Sequence, residues 1–226
     1  MPRIYYSKDM PKAVWELFSE YGELRPVPSY KKLPRQIDSH ADILMFYGGG
    51  DLYLPAEYYN ENRDLFEGVN VCTVDEEFGK EYGKHVYLDS FVLKDMLVCR
   101  EKLTSERLLE KYRVINVKQG YARCSTLKLN DNAIISADEG ICKRAREYGA
   151  DALHISDKGI ILPGYSCGFI GGASAVFGNT VVFFGDVTRH PDWMVIKEFI
   201  NKYEMKIVFT PSCPLTDYGS AVMVQS

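Results

Sequence analysis

The chain has 226 residues, 46% of them hydrophobic and 26% charged, with a formal net charge of −4. That suits a globular chain with a proper core, and with a net charge of this sign no basic surface argues for DNA or RNA as partner. No apolar run approaches the ~18 residues of a membrane span, and the opening "MPRIYYSKDM" lacks the apolar stretch of a signal peptide, so a cytoplasmic protein with neither membrane nor nucleic acid as partner is expected.

In chain order, the first pattern is a strand "RIYYS", a helix from about Pro11 to Tyr21 and a strand "ELRPV". "ADILMFYGGGDLYLPAEYYNENRDLFEGVNVCTV" then reads as strand, Gly-rich turn, strand, a helix opened by Pro55, and strand. Tyr58 and Tyr59 belong to the packing face of that helix. "YLDSFVLKDMLVCREKLTSERLLEKYRVINV" repeats the order with "KD" at the turn and Thr104 or Ser105 as helix cap. "CSTLKLNDNAIISADEGICKRAREYGADALHIS" repeats it again, with Asp138 as N-cap and Gly149 after the last helical turn. "GASAVFGNTVVFFGDVTRHPDWMVIKEFINKYEMKIVFTP" has "GN" at the turn and Pro191 at the helix start. The last strand, Gly219 to Val224 in "DYGSAVMV", has no hairpin partner after it.

These are four ββαβ units and a fifth divided between the two ends, at an average of roughly 45 residues per unit, a period at which repeat architectures arise. The fold class expected is α/β: a five-fold pseudo-symmetric α/β-propeller closed by pairing of the N- and C-terminal strands, forming a single domain over residues 1–226. Closure would remove an exposed sheet edge. The other reading is an ordinary α/β sandwich whose units resemble one another by coincidence.

A ring of five ββαβ units resembles the pentein fold of the guanidino-group-modifying enzymes, which include arginine and agmatine deiminases, dimethylarginine hydrolases and amidinotransferases. "YLDSFV" resembles their Asp-containing strand, with Asp89 matching its carboxylate. More closely, "SHADILM", "QGYARCS", "GYSCGFIGGAS", "HPD" and "PLTDYGS" look like a family of uncharacterised bacterial proteins assigned to this fold. The resemblance implies the architecture over nearly the whole chain without implying deiminase activity. Where those enzymes carry a Cys nucleophile, the last unit here reads Ser220 to Val224; where they carry a His, "GFIGGASAV" has none.

In such a ring the first strand of each unit faces the centre. That places His40 and Asp42, Asp89, then Arg123, Cys124 and Ser125, then Ser174, and finally Ser220 with Asp217 just before it around one pocket. Cys124 is either a nucleophile activated by His40, with Asp42 orienting the imidazole and Asp89 or Asp217 binding a cation, or a small buried apolar side chain. At i and i+2 on a strand, His40 and Asp42 point to one side. Such a pair suits a fixed tautomer, half a metal site or a turn; no third ligand at metal spacing follows, so no metal is expected. Asp186 and His190 in "GDVTRHPDW" are rim candidates, whereas Asp192 suits capping of the next helix.

The glycines of "GYSCGFIGGAS" lack the order of a nucleotide-binding loop, so no cofactor is expected; they permit a bend and close backbone approach. His85 and His154 have nothing nearby in sequence to suggest chemistry. The six cysteines, without CxxC spacing, read as reduced thiols rather than a disulfide framework or zinc site. The function expected is binding of a small cationic or amine-bearing ligand in a central polar pocket, because its acids outnumber its bases. The alternative is a hydrolase or transferase using Cys124 with His40 and aspartates. The sequence leaves the oligomeric state open.

Overall fold

Among residues 1–225, which the computed structural model describes, the strands fall into five three-stranded sheets. In four of them a hairpin is followed by a helix and a third strand parallel to the second. Strands β3 (Phe46–Gly48), β4 (Asp51–Pro55) and β5 (Val71–Val74) form one sheet. Strands β6 (Phe91–Leu93), β7 (Met96–Cys99) and β8 (Arg113–Asn116) form the next. They are followed by β9 (Thr126–Asn130), β10 (Ala133–Ser136) and β11 (Asp151–His154), then β12 (Ser174–Phe177), β13 (Thr180–Phe183) and β14 (Lys206–Phe209).

The remaining sheet joins the two ends of the chain. Strand β1 (Arg3–Ser7) pairs in parallel with β2 (Glu23–Val27) and antiparallel with β15 (Ala221–Val224), in register from Arg3 with Val224 to Tyr6 with Ala221. The terminal strand thus supplies the antiparallel partner that the first unit lacks, as its sequence implied. Strand β12 lies against β9 and β15, and β15 against β3.

A parallel pair requires a crossover, and each sheet has a helical one: α1 (Lys12–Trp15) after β1, α3 (Ala56–Glu61) after β4, α4 (Glu106–Lys111) after β7, α5 (Glu139–Glu147) after β10 and α6 (Trp193–Lys202) after β13. A further single turn, α2 (Ala41–Leu44), precedes β3. The middle strands β10 and β13, "AIIS" and "TVVF", are buried throughout. Being flanked on both sides and covered on both faces, they read as continuous apolar runs rather than alternating ones. No helix among the described residues is long and apolar enough to cross a membrane.

The local chemistry explains most element ends. Asp138 accepts the Ile141 N–H at 2.8 Å and caps α5, and Gly149 follows that helix with φ +74°. Tyr58 is wholly buried in α3, as its place on a packing face implied. Three expectations are corrected. The N-terminal helix covers only Lys12–Trp15 before passing into a 3₁₀ segment, Glu16–Tyr21. Ser105 stands at the N-cap of α4 without a side-chain capping bond, and the Thr104 hydroxyl donates to the Arg100 carbonyl instead. Asp192 does not cap α6 with its side chain: its carboxylate is taken by the Ser156 N–H at 2.6 Å, which ties the helix start to the preceding loop.

Candidate functional site

The polar residues expected on first strands lie, with one exception, in the segments just before them. His40 and Asp42 belong to the turn α2, not to a strand: the His40 carbonyl accepts from Ile43 and Leu44, and the Asp42 N–H donates to the Gly219 carbonyl at 3.0 Å. A short apolar run such as "ADIL" satisfies helix and strand patterns alike, and the Gly219 contact draws its first turn inward. Asp89 precedes β6, residues 123–125 precede β9, and Ser220 precedes β15. Ser174 alone lies in its strand.

Asp89, Arg123 and Cys124 form one tightly bonded group. One Asp89 oxygen accepts the backbone N–H groups of Arg123 (2.7 Å) and Cys124 (3.1 Å); the other accepts the Cys124 thiol at 2.8 Å. The Arg123 guanidinium donates to the Thr126 carbonyl and, at 2.7 Å, to the Ser220 hydroxyl, which itself donates to the Ser174 carbonyl. Ser220 holds φ +59°, a left-handed conformation fixed by these bonds. Ser125 and Ser174 spend their hydroxyls on the carbonyls of Ala122 and Ile170.

Asp217 comes from the opposite side. Its carboxylate accepts the Phe169 and Gly219 N–H groups at 2.9 and 3.0 Å, and one oxygen lies 3.8 Å from His40 Nδ1. The acid that faces the imidazole is therefore Asp217, not Asp42. Of the glycines in "GYSCGFIGGAS" expected to allow close approach, Gly172 does so here, and Gly219 does the same. A Cβ on Gly172 would fall inside the Asp217 carboxyl, and Gly219, at φ +76°, lies directly against the His40 ring.

His40, Cys124 and Asp217 line one cavity of about 170 Å³. Its wall is otherwise largely apolar, with Ile37, Ile43 and Leu162 beside the ring pair Tyr121–Phe169 (centroids 5.8 Å apart). Of the lining residues that the sequence did not single out, Cys167 and Tyr121 carry chemistry. Cys167 sits in "GYSCGF", where the glycines drew notice and the thiol did not. Tyr121 lies three residues before Cys124 and is bonded at 2.5 Å to His85, whose other nitrogen meets the Gly79 carbonyl at 3.1 Å. Nothing local in the sequence signals that His85 backs Tyr121.

Asp42 is only 1% exposed, and neither of its oxygens has a hydrogen bond of good geometry. The nearby Cys124 thiol is engaged by Asp89. Burial pushes the carboxyls of Asp42, Asp89 and Asp217 well above the ordinary range; mutual repulsion adds to it at Asp42 and Asp217, and Arg123 opposes it at Asp42 and Asp89. Burial and the same three carboxyls push the Cys124 thiol up, so it is held protonated. Burial lowers His40 to about 3. The Asp9 carboxylate pulls the other way, but the desolvation of a wholly enclosed imidazole outweighs it.

Asp186 and His190 stand apart from this cavity. Asp186 accepts from Thr188 and Arg189, capping a 3₁₀ turn, and His190 Nδ1 accepts the Asp192 N–H at 3.1 Å. Among the described residues no three His, Cys, Asp or Glu side chains are grouped to hold a metal ion, and all six cysteines are free.

Solved structures with the same architecture include dimethylarginine dimethylaminohydrolase from Pseudomonas aeruginosa complexed with citrulline: TM-score 0.56, 12% identity, 92% of this chain and 91% of that one. The C. jejuni agmatine deiminase follows at TM-score 0.55 and 11% identity, covering 92% and 87%. An amidinotransferase from Microseira wollei gives 0.54 and 10%, covering 97% and 82%. Identities this low establish the fold alone: a pentein α/β fold. A search of curated proteins returns no match. The profile of a family of unknown function (DUF6873) matches residues 6–222, and the chain belongs to that family.

Proposed function

We propose that this protein binds a small cationic or amine-bearing ligand in the cavity between His40, Cys124 and Asp217, and that its five sheets are the blades of one closed ring around that site. The observation that carries the reading is buried Asp217 on the cavity wall, with buried Asp42 and Asp89 behind Cys124 adding to the negative field without lining this cavity. Three carboxyls out of water, with Arg123 among them, are held away from their charged forms. An incoming cation reverses that balance, because an opposite charge in a site of low polarity favours ionised carboxylates. The apolar and aromatic walls suit a ligand with a hydrocarbon body, with Tyr121 and Phe169 available to a cation.

A second reading, a hydrolase or transferase with Cys124 as nucleophile, is favoured by one contact: the thiol already points its proton at Asp89. A bound cation that lowered the thiol pKa would set up attack, with Asp89 as base and His40 lining the same cavity. The free thiols fit a protein of the reducing cytoplasm, acting as a single domain.

Thermal-shift and calorimetric titration with primary amines, polyamines, guanidines and amino acids tests the first reading. We expect stabilisation by at least one cationic compound and its loss, by about tenfold or more in affinity, in Asp217→Asn. No binding by any of them would overturn it. Turnover of the bound compound that disappears in Cys124→Ser would move the case to catalysis.

A further inference from the structure

A second cavity, of about 220 Å³, shares no lining residue with the first. Asp42 and Arg123 line it, though each is a close chain neighbour of a residue of the first cavity, and Lys128, Met45, Phe46 and Met223 complete the parts of its wall that matter here. Its charges are of both signs. The Asp42 carboxyl is buried and neither oxygen has a hydrogen bond of good geometry, the neighbouring Cys124 thiol being directed at Asp89, and burying a carboxyl in that condition is costly. Such a group is either a defect or half of an interaction whose donor comes from outside. Arg123 spends two of its donors on Thr126 and Ser220, which fix the guanidinium and leave others free. Lys128 is half-exposed, and its nearest acid is Asp131 at 2.6 Å.

We propose that this cavity is a second ligand site, for a zwitterion of amino-acid type with an apolar side chain. The ammonium group meets Asp42, the carboxylate meets Arg123 and Lys128, and the side chain lies on Met45, Phe46 and Met223. Each half of the ligand answers a feature that the other half cannot. A plain amine would satisfy Asp42 but lie against two cations. A plain carboxylate would pair with the cations and leave Asp42 orphaned. The proposal concerns a different cavity from the amine site above, and either reading can fail without the other.

The methionines give a local reporter, because Met45 and Met223 line this cavity and no methionine lines the first. The protein labelled with methyl-¹³C methionine is titrated with the twenty common amino acids, first pooled and then singly, with resonances assigned from Met45→Leu and Met223→Leu. We expect the Met45 and Met223 methyl signals to move with an apolar amino acid. Its decarboxylated and deaminated analogues should bind about tenfold more weakly or worse. Lys128→Ala should weaken the amino acid and the carboxylate analogue while tightening the amine analogue, which loses a like charge beside it. No movement with the pool, movement confined to methionines elsewhere, or equal binding by either half-molecule would each overturn the proposal.

Discussion

Asp42 shows how one buried group carries both the electrostatics and a pH signature. Its pKa is raised to about 7, first by burial and then by Asp89. In the unfolded chain it titrates near the ordinary ~3.9. Between these values the folded protein holds a proton that the unfolded chain has lost, so this group's contribution to stability falls as pH rises from about 4 to about 7. Asp89 and Asp217, also raised to about 7, act in the same direction as Asp42, and His40, lowered to about 3, acts in the opposite direction over pH 3 to 6.5, so the wild-type profile mixes Asp42 with three other groups. Asp42→Asn isolates the Asp42 share, since the amide imitates the neutral carboxyl and leaves the other three in place. The groups facing residue 42 are Asp89, Arg123, Cys124 and Asp217. We expect the variant to lie close to wild type at pH 4 and to exceed it by roughly 1–3 kcal/mol or more at pH 8, measured by urea denaturation at both. Equal stability at pH 8 would show that Asp42 is not a strained buried acid.

At the scale of elements, two helix starts that look alike in sequence behave differently. Asp138 at α5 makes its capping bond, whereas Ser105 at α4 has a buried hydroxyl with no partner. We expect Asp138→Ala to cost about 1 kcal/mol and Ser105→Ala to cost nothing or to stabilise slightly, because removing an unsatisfied hydroxyl relieves a desolvation penalty. Chemical denaturation of the two variants side by side checks the contrast. The hairpins were legible for a similar local reason: "GN" at the β12–β13 turn puts Gly178 at φ +59°, and the "KD" turn between β6 and β7 puts Lys94 at φ +59°. The α2 turn was not legible. Four residues of "ADIL" carry no period, and what holds them is the Gly219 carbonyl on a segment almost at the other end of the chain.

For the whole molecule, the β1–β15 pair is the long-range connection on which the site depends. Strand β15 follows directly on Asp217, Gly219 and Ser220, so its register against β1 also sets where those residues meet His40, Asp42 and Arg123. Deleting residues 221–226 should expose β1 as an edge and destabilise the protein by several kcal/mol, while a shorter deletion of residues 225–226 should be nearly neutral. Thermal melts of the two truncations decide it. Equal melting temperatures would mean that the terminal strand contributes little to holding the site together.

The sequence by itself determined the repeating units, their hairpin turns, the α5 cap and the strand that had to find its partner at the start of the chain. Those features rest on interactions between residues a few positions apart, or on one unmatched strand with one vacant place. It also picked out Cys124, Asp89, Asp217 and His40 as residues of one neighbourhood. Only the tertiary structure decided their relations: Asp89 rather than His40 holds the thiol, Asp217 rather than Asp42 faces the imidazole, and Asp42 belongs to a second cavity. The physical reason is that hydrogen bonds and desolvation act over a few ångströms in space. Loops from four different sheets meet there, and no pattern within any one of them records which side chain stands across from which.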